Sequence, residues 1–172
     1  LSTLAEWVGR VGVALQPLAD RLILHLLQGG VLHADETPVA QLDPGSGKTQ
    51  RAYLWAYRSN DLESGPRIIV FNYQTSRSGR HARDFLDGWQ GHLVVDDYAG
   101  YKALFTLVGN CTELGCWAHA RRKFFDLHQA SASTVAFEAL QRIGKLYAVE
   151  DEGKHLTIET RQRLRTEKSL PI

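Results

Sequence analysis

The chain has 172 residues, 44% hydrophobic and 23% charged, a length and balance that fit one compact soluble domain around a single core. Its formal net charge of +1 excludes a large uniform field, so any surface for nucleic acid must be local. No apolar run reaches the about 18 residues of a membrane span, and the only cysteines, Cys111 and Cys116, are too few for a disulfide framework; the expected setting is a reducing cytoplasm with no membrane partner.

The opening LSTLAEWVGR lacks the basic leader and small-residue cleavage site of a secretory signal. With no Met in the sequence and an abrupt end at SLPI, the chain reads as a piece of a longer protein. Leu4, Val8, Val11, Leu15, Leu18, Leu22 and Leu26 recur every three or four residues and predict an N-terminal helical segment over residues 1–28. Pro17 is expected to break or kink it, and Gly29 and Gly30 to end it.

Three short runs rich in β-branched and aromatic residues follow: VLHADE, AYLWAYRS at 52–59 and RIIVFN at 67–72. The turn-rich stretches DPGSGKTQ and NDLESGP between them favour an antiparallel meander. RSGRHARDFLDGW then presents Ala82, Phe85 and Leu86 at helical spacing, and HLVVD at 92–96 is an apolar strand. YAGYKALFTLVG reads as a loop into a short helix, and CTELGCW as a fifth strand. Residues up to about Glu152 are helical in pattern, and the tail from Thr157 is polar and helical or loose. Trp55, Trp89 and Trp117 are expected to pack in the core or at its edge. A hairpin meander continued by a crossover into parallel strands is an α/β arrangement: a ribonuclease-H-like mixed five-stranded sheet flanked by helices. The expected divisions are 1–28, a core over 29–152, and the start of a helical or loose region over 153–172.

Period two puts His33 and Asp35 on one face of the first strand and Glu36 on the other. Asp96 ends the fourth strand. If those strands are neighbours, the two carboxylates stand within about 5 Å of each other, and so close a pair repels unless a cation or proton intervenes. Carboxylate oxygens suit Mg²⁺, with Mn²⁺ a close substitute, and two such ions serve phosphodiester chemistry. The alternative is that both acids merely cap strand ends.

Cys111, Cys116 and His119 raise the question of zinc, although structural zinc wants four ligands; the alternative is a Cys116 that fills the core. Arg121, Arg122 and Lys123 follow at once in HARRKFF, a basic and aromatic cluster of the kind that grips a DNA backbone, or else a solvated helix face. Arg77, Arg80 and Arg83 form a second basic stripe open to the same two readings. GSGKT at 45–49 imitates part of a phosphate loop, but Leu42 stands where the first Gly belongs and a strand follows, so it is expected to be a hairpin turn.

HADETP at 33–38, VVDDYAGYKAL at 94–104 and CWAHARRKFFD at 116–126 together resemble the transposases of the insertion sequence 66 family, over roughly residues 30–152; LYAVE at 146–150 is similar as well. The resemblance implies a ribonuclease-H-like core whose two Asp and one Glu cleave DNA and join strands with divalent metal. Asp35 resembles the first acid and Asp96 the second. Asp97 falls where family members often carry Gly. The family's Glu lies in a later segment with an Ala-Glu-Arg run that this chain lacks, which implies a core that is incomplete and inactive alone, with Glu150 as the fallback third acid. His119 is implied to contact phosphate or water beside the acids, DNA is the implied partner, and the full-length protein is expected to form a homo-oligomer. The rival readings are a nuclease or resolvase of the same fold, and a non-catalytic DNA-binding or assembly module.

Overall fold

The structure, a computed structural model, describes residues 2–63, 65–106 and 111–172; the expectations that touch Leu1, Ser64 and 107–110, including the end of YAGYKALFTLVG, lie outside those residues. It divides into two compact units, Leu1–Gly115 and Cys116–Ile172.

The first unit opens with helix α1, Ser2–Leu26. The helix runs through Pro17 rather than ending there. A proline inside a helix removes one hydrogen bond and crowds one carbonyl, and the turns on both sides carry the element past it. Leu4, Val8, Val11, Leu15, Leu18 and Leu22 are exposed, whereas Leu26 is buried in the core with Ile23 and Leu27 against it. The helix stops before Gly29 and Gly30, as expected.

Five strands follow: β1 Val31–Asp43, β2 Lys48–Ser59, β3 Ile69–Gln74, β4 Gly91–Val95 and β5 Cys111–Gly115. They form one sheet in the order β3-β2-β1-β4-β5. β1 pairs antiparallel with β2, and β2 with β3, whereas β4 runs parallel to both β1 and β5. That mixed order, a meander extended on one side by parallel strands, is the ribonuclease-H-like sheet expected from the sequence. β1 and β2 are longer than the sequence runs implied, because Asp43 pairs with Lys48 and leaves only a tight turn between them. Gly45 and Gly47 in that turn have φ of 88° and 64°, values that glycine adopts without penalty. GSGKT is therefore a hairpin tip, with Lys48 and Thr49 already in β2.

Helix α2, Arg80–Phe85, and a 3₁₀ helix, Ala99–Phe105, cover one face of the sheet. The core there unites Leu32 and Ala34 of β1, Trp55 and Tyr57 of β2, and Leu93 and Val95 of β4 with Ala82, Leu86, Trp89, Tyr101 and Leu104. Tyr57 stacks on Phe85 with ring centroids 3.8 Å apart.

The second unit is helical. The helical pattern after Cys116 proves to be two helices, α3 Trp117–Ser131 and α4 Thr134–Glu152. The break lies at Ala132, left-handed with φ 50°, and at Ser133, whose side chain accepts from the Ala136 N–H at 3.2 Å. That serine is an N-cap, which satisfies a first-turn donor and starts the new helix. Helix α5, Ile158–Leu164, and a π-helical turn, Arg165–Ser169, complete the unit. Among the described residues no helix is long and apolar enough to cross a membrane.

Candidate functional site

Strand alternation decides which β1 side chains meet the core. Leu32, Ala34 and Glu36 are buried, while His33 is half-buried and Asp35 exposed, so Asp35 and Glu36 leave the strand on opposite faces. β1 and β4 pair in parallel as Val31 with His92, Leu32 with Leu93 and His33 with Val94. Two residues beyond the last of these pairs, one step of the alternation on each strand, stand Asp35 and Asp96. Continued by that one step, the register would set them level, on the parity opposite to the buried Leu32, Ala34, Leu93 and Val95.

Both carboxylates are oriented by nearby backbone. The Glu36 N–H donates to Asp35 Oδ1 at 3.0 Å, and the Tyr98 N–H donates to Asp96 Oδ1 at 2.9 Å. His33, one step back on the same face, has its imidazole pushed below the ordinary histidine value, first by burial and then by Arg58. Asp97 is exposed and ion-pairs with Lys102 at 3.5 Å.

On the opposite face the structure holds a feature that sequence reasoning passed over. The Glu36 side chain is only 1% exposed, and its carboxylate is surrounded by donors. Arg77 Nε and Nη2 donate to Oε1 at 2.8 and 2.5 Å, and the Tyr101 hydroxyl donates to Oε2 at 2.7 Å. Burial, and then the hydrogen bond to Glu36, raise the Tyr101 phenol far above its ordinary range. The Arg77 guanidinium lies 3.9 Å over the Tyr98 ring, and the Tyr98 hydroxyl donates to the Arg77 carbonyl. A signal for this cluster was present in the sequence. Glu36 has the parity of Leu32 and Ala34, and a charged residue on a core-facing parity requires a buried partner.

Of the second basic stripe, Arg77 is thus spent on Glu36. Arg80 pairs with Asp84 at 3.2 Å within α2, and Arg83 is exposed. Cys111, at the start of β5, donates its thiol to the Trp89 carbonyl at 3.6 Å, and burial raises its pKa.

In the second unit, Cys116 precedes α3 and is half-buried, so it does not fill a core. His119, Arg121, Arg122 and Lys123 occupy the first turns of α3, with the three basic residues exposed. Trp117, expected to pack, is 55% exposed, while Trp55 and Trp89 are buried. Glu150 on α4 is held by Arg165, whose Nε and Nη2 donate to its two oxygens at 2.6 Å each. That pairing, above all its hydrogen bonds, holds the Glu150 carboxyl below the usual range. Among the described residues no group of three or more His, Cys, Asp or Glu side chains is placed to hold a metal ion. Asp35 and Asp96 remain a pair of carboxylates. Such a pair suits Mg²⁺, which is commonly held by one or two carboxylates together with waters and substrate phosphates.

A family model described as transposase IS66 family matches residues 1–172. Among curated proteins of Sinorhizobium fredii (strain NBRC 101917 / NGR234), uncharacterized protein y4qI is 38% identical over 180 residues, covering 99% of this chain and 33% of that protein. Uncharacterized protein y4jD is 35% identical over 178 residues, covering 99% of this chain and 35% of its own length. The chain therefore spans about a third of the length of the curated relatives it matches. A chain of a simian T-cell lymphotropic virus intasome in complex with PP2A regulatory subunit B56 gamma is similar with a TM-score of 0.34 and 11% identity, over 80% of this chain and 48% of that one; a likeness at that level carries no argument.

Proposed function

This chain belongs to the IS66 family of transposases, and from that premise we propose that it is the part of a DNA transposase that holds the first two catalytic carboxylates, Asp35 and Asp96, for metal-dependent cleavage and strand transfer. The observation that supports the reading is the parallel pairing of β1 with β4 as far as His33 and Val94, two residues short of each acid. Mg²⁺ or Mn²⁺ bound there, two ions in the complete enzyme, would supply Lewis-acid activation of the attacking oxygen and stabilisation of the leaving one.

Asp35 and Asp96 bind and orient. Their backbone partners, the Glu36 and Tyr98 N–H groups, limit the rotation of each carboxylate. The reaction first adds water to a DNA phosphorus as the bond to the departing 3′-oxygen breaks. The freed 3′-hydroxyl then attacks a target phosphodiester and displaces its own 3′-oxygen. The third acid is expected from a segment beyond these residues, with Glu150, here paired with Arg165, as the fallback. Arg121, Arg122 and Lys123 hold the phosphate backbone without reading sequence, with His119 as a contact to phosphate or water. DNA ends and target DNA are the partners, and the full-length protein works as a homo-oligomer in the bacterial cytoplasm, on the nucleoid.

The test is an Asp35→Ala substitution in the intact protein. It is expected to weaken Mn²⁺ binding, followed by electron paramagnetic resonance, by at least about tenfold, the loss typical of damage even to the groups that surround a metal's ligands. DNA cleavage should fall to background while binding to DNA persists. Unchanged DNA processing in that variant would instead favour a binding or assembly module. Separately, the double substitution Arg121→Ala and Arg122→Ala should lower the slope of log affinity against log salt by roughly 1.8, at about 0.9 for each phosphate that is no longer neutralised. An unchanged slope in a filter-binding titration would show that α3 does not touch the backbone.

A further inference from the structure

The two carboxylates lie just past the last pair between β1 and β4, although β1 stays paired with β2 on its other side. Pairing of β1 with β4 ends at His33 and Val94, and β4 ends at Val95, so the ladder stops short of both Asp35 and Asp96. Like charges at that separation push apart. Beyond that last pair, side chains can hold β1 and the segment after β4 together.

Such a tie exists on the opposite face. Glu36 follows Asp35 in the chain and donates its N–H to it, and Tyr98 does the same for Asp96 from two residues on. Arg77 joins the two, through its paired hydrogen bonds to the Glu36 carboxylate and its stacking on the Tyr98 ring. Tyr101, three residues beyond Tyr98, grips the other Glu36 oxygen. The loop that carries Arg77 is seated by its backbone as well. A Cβ on Gly79 would stand 2.1 Å from the Gly100 carbonyl oxygen, and one on Gly100 would stand 2.2 Å from the Tyr98 ring. Only glycine allows that approach.

Stability alone does not account for this cluster, because a buried ion pair is commonly replaceable by apolar side chains at no loss. Its location does. Resting on the proposed metal role of Asp35 and Asp96, we infer that Arg77 is a positioning residue: with Glu36 and Tyr98 it braces β1 at Glu36 against the turn after β4 and thereby sets the separation of the two carboxylates. Arg77 acts on the acids through the groups it holds, Glu36 and Tyr98, and its charge also lies near enough to attract that of Asp96.

The experiment measures Mn²⁺ binding to the intact protein by electron paramagnetic resonance. The double variant Glu36→Gln with Arg77→Met removes the paired charges together, so that no buried charge is stranded. Tyr98→Leu removes the stacking face and leaves the ion pair in place. With folding verified by circular dichroism, the Kd for Mn²⁺ should rise about 10- to 100-fold in these variants, as for other groups that orient a metal's ligands. Arg77→Lys, which restores charge without the fork, should lie between them and the unaltered protein. DNA cleavage by the same variants should recover toward normal as Mn²⁺ is raised, with the Kd for DNA unchanged. Weakened Mn²⁺ binding in either folded variant supports the brace. Mn²⁺ affinity equal to that of the unaltered protein in both overturns it, while Asp35→Ala in parallel still loses Mn²⁺ and leaves the metal reading intact. Should Asp35→Ala also bind Mn²⁺ normally, the metal reading falls and the brace falls with it.

Discussion

Arg77→Ala is expected to destabilise the Leu1–Gly115 unit by about 3–5 kcal/mol, the usual cost of removing one partner from a buried ion pair. The size of the effect comes from Glu36 rather than from the arginine. Arg77 is itself 45% exposed, but the Glu36 side chain is 1% exposed, and without Arg77 its Oε1 loses both donors. Tyr101 alone would remain. Because water can follow the vacated arginine path, the lower end of that range is the expected value. Glu36→Gln in the same background should recover a large part of the loss, since it withdraws the stranded charge. Urea denaturation read by tryptophan fluorescence measures both. An Arg77→Ala protein within about 0.5 kcal/mol of the original, the range of an ordinary surface change, would show that the pair is not buried in solution.

Trp55→Ala carries a comparable cost, about 3–5 kcal/mol, from lost transfer free energy and from the cavity left behind. Trp55 is fully buried and lies across β2 from Glu36 of β1. It meets Tyr101 edge-on at 5.7 Å and His81 at 6.1 Å between ring centroids, so its removal opens the core beneath α2 and the 3₁₀ helix. Its indole Nε1 has no hydrogen-bond partner among the described residues. Trp55→Phe should therefore cost clearly less than Trp55→Ala, because it sacrifices volume and no hydrogen bond. Equal losses for Phe and Ala in urea denaturation would mean that the indole N–H is satisfied after all.

Both predictions concern the buried face of β1, and the same strand shows how far the sequence could be read. Alternation from Leu32 to Glu36 set the facing of every side chain, and the distinct signatures of five strands prescribed the order of elements. Asp35 could be singled out as a chemical residue because it occupies the solvent parity of a strand whose other parity is apolar. Three separated motifs, around Asp35, Asp96 and His119, carried the family. The hairpin at Gly45 and Gly47 was legible for a local reason, since its turn chemistry is written in consecutive residues.

Other readings failed where the deciding term was not local. Pro17 was expected to break or kink α1, and the break did not occur, because one lost hydrogen bond does not outweigh the turns on either side. Trp117 is exposed although its composition suited a core, since burial depends on what packs above a helix and not on the residue alone. The partner of Glu150 was equally out of reach of a local reading, since the arginine that takes both of its oxygens stands fifteen positions later.

What the amino-acid sequence determined by itself was the set of strands, the face on which each residue emerges, and the two acids worth pairing. Periodicity and turn chemistry act over a few residues and need no partner to be expressed. Only the tertiary structure decided that β4 lies beside β1 with His33 opposite Val94, and that Arg77 closes on Glu36 across 41 positions of chain. Those are long-range choices. They follow from which apolar faces bury one another most completely, and that is a property of the whole sheet and its covering helices rather than of any segment within it.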